Sequence, residues 1–155
     1  MADSRPFASV LAGCALLCTC ALLAGCGEGS SAAASPPYVA RGDRICATQL
    51  ALLARLPQPT TPDQAVTYLP HVLTALHGES TQLRTLQPPP STRGELREAL
   101  ADTSRLSALL SGFLDRLRTG IVEITMFGQI QSQSTALRTQ IDAHFRRAHL
   151  MRCVQ

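Results

Sequence analysis

The sequence predicts an all-α domain: a four-helix up-down-up-down bundle whose first helix is short. Three observations carry that expectation. The 155-residue chain is 45% hydrophobic but only 4% aromatic, with no Trp. Its core must therefore be built from Leu, Ile, Val and Ala, a set that suits packed helices better than a β-sandwich. Apolar residues recur at helical spacing in four segments, and proline clusters separate the first three. Finally, Cys46 and Cys153 fall at the same end of such a bundle, one early in the first helix and one just after the last.

The first helix is expected near 43–56, with Asp43 as its cap, Ile45, Leu52, Leu53 and Leu56 on one side, and Pro57 and Pro59 as its stop. The second opens at Thr61-Pro62-Asp63-Gln64, an approximate capping box with proline in the first turn. Its stripe is Val66, Leu69, Val72, Leu73, Leu76, Leu83 and Leu86, so Pro70 is expected to kink the helix rather than end it. Pro88-Pro89-Pro90 stops it, and Ser91 is expected to cap the third helix. There Leu96, Leu100, Thr103, Ser107, Leu110, Leu114 and Leu117 step by alternating fours and threes, with a last turn at Thr119-Gly120. Phe127, Ile130, Ser134, Leu137, Ile141 and Phe145 form the fourth stripe. Residues 121–127 (IVEITMF) have strand-like composition but no partner strand, so helix is expected there as well.

At 1.5 Å per residue the first helix is only about 20 Å long, against about 35–40 Å for the others. The linker 57–61 could cover about 15 Å of the difference in polyproline geometry. Tyr68, Phe113, Met126 and Phe127 fall in that less covered half. Two readings stand there: an apolar groove among these four residues, or tight three-helix packing.

Ahead of the bundle, residues 7–24 (FASVLAGCALLCTCALLA) form an uncharged apolar run ending in Leu23-Ala24-Gly25-Cys26. The run is near the lower limit for spanning a bilayer and lacks basic flanking residues on its C-terminal side. The ending resembles the lipobox of bacterial lipoproteins: an apolar residue, two small residues and an obligatory Cys. The resemblance implies a diacylglycerol on the Cys26 thiol and cleavage before it by signal peptidase II. It also implies acylation of the new amine and anchoring on the extracytoplasmic face of the cell membrane. An uncleaved transmembrane anchor is the alternative. On this reading residues 1–25 are a signal peptide, 26–42 the lipidated Cys and a flexible Gly, Ser and Pro tether, and 43–155 the bundle. Cys14, Cys18 and Cys20 lie in the discarded segment. Two or three acyl chains suffice for stable anchoring.

The mature chain then keeps two cysteines in an oxidising compartment, and a Cys46–Cys153 disulfide is expected, contributing about 4–5 kcal/mol. No catalytic constellation, metal-ligand spacing, haem-attachment motif or phosphate loop stands out, so neither an enzyme nor a cofactor is expected. His71, His77, His144 and His149 read as surface or interfacial histidines. Arg41-Gly42-Asp43 spells an adhesive tripeptide, but Asp43 already has a capping role.

All 14 basic residues are Arg, a mark of a GC-rich genome, and the net charge of +3 does not suggest nucleic acid. Arg138, Arg146, Arg147 and Arg152 crowd the C-terminus. Either they complement a helix dipole, or Arg146, Arg147 and Arg152 form a basic patch facing anionic lipid. The arrangement is similar to small helical lipoproteins of high-GC Gram-positive bacteria, a resemblance that implies no active-site residues. The functional expectation is a non-enzymatic interaction module of the cell envelope, with membrane lipid and an envelope protein as partners. Binding of a small molecule or lipid in the distal groove is the alternative.

Overall fold

The structure, a computed structural model, describes residues 37–120 and 123–155. The leader, Cys26 and most of the expected tether lie outside the described residues. The described part is 81% helical, with no strand. Four helices follow in order: α1 (Pro37–Leu53), α2 (Pro62–Leu83), α3 (Pro90–Arg118) and α4 (Ile124–Arg147), then a 3-10 turn at Met151–Cys153. No described helix is long and apolar enough to cross a membrane.

Local chemistry sets most boundaries. Thr61 caps α2, its hydroxyl accepting from Gln64 N, while the Gln64 carboxamide accepts from Thr60 N at 2.8 Å. The capping box is thus real but reaches one residue further back than its usual form. Helix α2 runs through Pro70, as the apolar stripe requires, but ends at Leu83, so Leu86 of that stripe is buried from the linker. Helix α3 ends at Arg118, with Gly120 in the left-handed region (φ 71°) donating to Leu117 O. The described part of the strand-like run, from Ile124, is helical.

The starts of α1 and α3 differ from expectation, and α1 ends at Leu53 rather than near 56. Helix α1 is already helical at Pro37, so Asp43 is not its cap but lies inside it and accepts a bond from Arg152 N at 2.9 Å. Asp43 thereby holds the start of the terminal 3-10 turn. Nor does Ser91 cap α3: the cap position is Pro89 and Pro90 is the first helical residue, with Ser91 inside. Proline fits that first position because its missing N–H would have no intrahelical partner there.

Neighbouring helices pack antiparallel in sequence order, α1 on α2, α2 on α3 and α3 on α4. The terminal turn closes the bundle, packing on both α1 and α4. Its arrival depends on the end of α4. There Leu150 N donates to Phe145 O and His149 N to Arg146 O, a Schellman motif with His149 at φ 62° in the place usually held by glycine. The reversal sends Leu150, fully buried, against α1. Gly42 makes room for it: a Cβ there would lie 2.5 Å from Leu150 Cδ2. The Arg41-Gly42-Asp43 tripeptide is therefore helical, with its glycine buried as a packing position. Cys46 and Cys153 are bonded, Cα atoms 4.9 Å apart and both sulfurs' residues almost wholly buried. Tyr38 also donates its hydroxyl to Ala148 O, tying the first turn of α1 to the end of α4.

Candidate functional site

Beneath the disulfide lies a group that the sequence reading did not single out. Glu79 of α2 is 6% exposed, and its Oε1 is 3.3 Å from Cys46 Sγ. A disulfide sulfur has no proton to donate, so this contact does not compensate the carboxylate for lost water. Burial raises the Glu79 pKa from 4.5 to about 7. A cavity of about 40 Å³ adjoins it, bordered also by Cys153, Thr103, Arg138, Asp142 and Gln155. Such a volume is polar and roomy enough to hold a water. The ligand atoms of Cys46, Glu79 and Cys153 lie within 4.8 Å of one another. With the sulfurs joined neither is a thiolate, so in the oxidised protein the trio is not a metal centre. The signal was available in the sequence: Glu79 stands three residues beyond Leu76 and four before Leu83, on the apolar stripe itself.

A second polar cluster joins α3 to α4. His144 Nδ1 lies 2.7 Å from Glu95 Oε2, and Arg147 Nε donates to the same oxygen at 2.8 Å. On the other side of the ring, Nε2 is 3.7 Å from Asp102 Oδ2. Asp102 is buried and accepts from Arg105 at 2.6 Å. The hydrogen bonds from His144 and Arg147 hold the Glu95 carboxyl below its usual range. The two carboxylates of α3 flank opposite sides of the His144 ring, so the cluster clamps α3 to α4. Glu95 and Asp102 are seven residues apart, hence on one helix face, and His144 and Arg147 are three apart on the facing helix.

The four residues expected to form a distal groove are divided. Phe113 and Met126 are buried in the core, while Phe127 is 39% exposed and meets Phe113 edge-on at 5.3 Å. Tyr68 instead lines a separate groove of about 540 Å³ under the linker, with Leu56–Thr60 and His71. Among the described residues the four do not line one groove together: Phe113 and Phe127 pack on each other, and Tyr68 faces the linker. The basic patch also changes. Arg147 is paired with Glu95, so of these three arginines Arg146 and Arg152 have no ion-pair partner among the described residues.

Another groove lies between the end of α2 and the first half of α3. It measures about 750 Å³, with Leu83, Leu86, Leu96 and Leu100 as apolar lining and Arg84, Arg93 and Arg97 among its charged residues. No family model, curated protein or solved structure matches this chain.

Proposed function

We propose that this chain is a membrane-anchored extracytoplasmic lipoprotein whose helical domain serves as a non-enzymatic interaction module of the cell envelope. The observation that carries the reading is Leu23-Ala24-Gly25-Cys26 directly after an uncharged apolar run. The paired Cys46 and Cys153 support it, since such bonds persist in oxidising compartments. Exposed Leu52 and Phe127, at the end of the bundle away from where α1 begins, offer apolar surface to an envelope protein partner.

The test is the intact mass of the full-length gene product extracted from membranes, with and without reductant. The expected species begins at Cys26, carries acyl groups, and gains two hydrogens on reduction. A species retaining residues 1–25 overturns the lipoprotein reading in favour of an uncleaved anchor. Two free thiols before reduction remove the support drawn from the disulfide.

A further inference from the structure

We infer that Glu79 is the proton acceptor that lets Cys46 close the disulfide with Cys153, so that the folded bundle makes its own bond. The contact of 3.3 Å between Glu79 Oε1 and Cys46 Sγ carries the inference. In the closed protein it joins a carboxyl group to a sulfur that has no proton. In the reduced protein the same two atoms are a thiol S–H and an oxygen able to receive its proton. Glu79 stands on the apolar stripe of α2, buried, where a leucine would serve the core better. A base for the adjacent sulfur is a reason for a carboxyl group to be there.

The placement of Glu79 against Cys46 does not need the bond. Cys46 lies in the middle of α1 and Glu79 in α2, and the packing of these two helices brings them together. Cys153 is held differently. It follows the end of α4 in the terminal 3-10 turn, fastened by exposed bonds from Arg152 N to Asp43 and from Gln155 N to Asp142. Loosening the residues after Leu150 uncovers Cys153, whereas uncovering Cys46 requires parting two helices. Cys153 is therefore the sulfur that an oxidant of the disulfide class, RS–SR, reaches first.

The Cys153 thiolate attacks that oxidant, giving Cys153–S–SR and releasing one thiolate RS⁻. Glu79 then takes the proton of the Cys46 thiol. The Cys46 thiolate attacks Cys153 Sγ, the bond from Cys153 to SR breaks, and the second RS⁻ leaves with its electron pair. The protein loses two electrons and two protons, and the oxidant gains both as two RSH. A solvated carboxylate is a poor base for a thiol of ordinary pKa about 8.5. Burial brings Glu79 up to about 7, a far better match at neutral pH. The adjoining cavity of about 40 Å³ leads the proton out, since its rim includes the exposed Arg138. Arg138 and Asp142 of α4 are the charged groups of that rim and are opposite in sign, while α3 adds only Thr103 and Leu106.

The experiment uses the full chain in neutral detergent, reduced with dithiothreitol, freed of reductant and then given oxidised glutathione. Samples quenched with acid and a maleimide are digested. Free, glutathione-bound and closed forms of Cys46 and Cys153 are thereby read apart from Cys14, Cys18, Cys20 and Cys26. The wild type should close directly, at a rate that rises to about pH 7 and then levels. Glu79→Gln should slow closure about a hundredfold at pH 7 and accumulate the glutathione adduct on Cys153. Its rate should keep climbing with pH toward the thiol range, and Glu79→Asp should fall between the two. Unchanged far-ultraviolet circular dichroism of the reduced variants should show that slow closure is not loss of fold. In concentrated urea, where no helix places Glu79, all three chains should close alike. Equal rates and pH slopes in buffer, or a difference that persists in urea, overturns the inference. So does a glutathione adduct on Cys46 in place of Cys153. A reduced chain that does not fold closes in buffer as it does in urea, and that result overturns it as well.

Discussion

The two ends of the bundle are built from the same kinds of residue and closed to different degrees. At the end holding the disulfide, Cys46, Leu83, Phe145, Ala148, Leu150 and Cys153 are each at most 2% exposed. At the other end Leu52 is 50% exposed and Phe127 39%, and Ile130 and Leu137 are only half-buried. The difference follows the number of elements around the axis. Helix α1 has 17 residues and α3 has 29, about 25 Å against about 43 Å. Below the end of α1, four helices and a terminal turn surround the core; above it, three helices and a linker remain. Burial depends on how many surfaces meet as well as on how apolar each stripe is, and α4 shows this within one helix. Of its stripe, Phe127, Ile130 and Leu137 stay partly exposed, whereas Ile141 and Phe145 are buried.

The largest expected effect that sharpens this comparison is at the closed end. Replacing both Cys46 and Cys153 by Ser should lower stability by about 4 kcal/mol in chemical denaturation, as expected for so long a loop. Leu150→Ala should cost about 3 kcal/mol, because a fully buried side chain leaves a cavity. Phe127→Ala at the open end should cost only about 1 kcal/mol. Equal losses at Leu150 and Phe127 would erase the distinction between the ends.

The next effect is a pH dependence. Glu79 has a folded pKa raised from 4.5 to about 7, so between those values the folded state binds more protons than the unfolded state. Stability therefore falls as pH rises from about 4.5 to 7, by roughly 3 kcal/mol, and stays at the lower level above. Glu79→Gln should flatten that slope and raise the urea midpoint at pH 8. An unchanged slope between pH 5 and 8 would show that Glu79 is not neutral in the fold. Glu95 acts with the opposite sign. Its lowered pKa makes its contribution present above the unfolded value and lost as pH falls through the folded one, so Glu95→Gln should alter only the acid limb.

The smallest effect concerns the turn that delivers Leu150. His149→Gly should raise the thermal midpoint by an amount equivalent to about 1 kcal/mol, since a left-handed backbone is costly for a side chain with a Cβ. The same change at Gly120, already glycine, shows where the chain has met this demand directly.

The helices themselves were legible because their signals are local. Thr61 and Gln64, Pro62 and Pro90, Gly120 and the apolar stripes each act within a few residues. The pairing of Cys46 with Cys153 was legible from topology, because an even number of short antiparallel passes brings first and last positions to one end. The sites were less so. Glu79 sits on an apolar stripe, but its raised pKa depends on the burial that the packed helices impose. Glu95 and Asp102 meet His144 and Arg147 only because α3 and α4 run antiparallel in one register. The four distal residues part company because side-chain direction, not residue type, sends Phe113 and Met126 inward and turns Tyr68 toward the linker.

The sequence by itself determined four helices, their order and their stops, since hydrophobic period, caps and prolines are properties of short segments. Tertiary structure alone decided that the terminal turn closes the bundle, that Gly42 is the seat of Leu150, and that the arginines of two helices border one groove. Those outcomes depend on contacts between residues far apart in the chain, where a shift of a single helical turn would bring different side chains together.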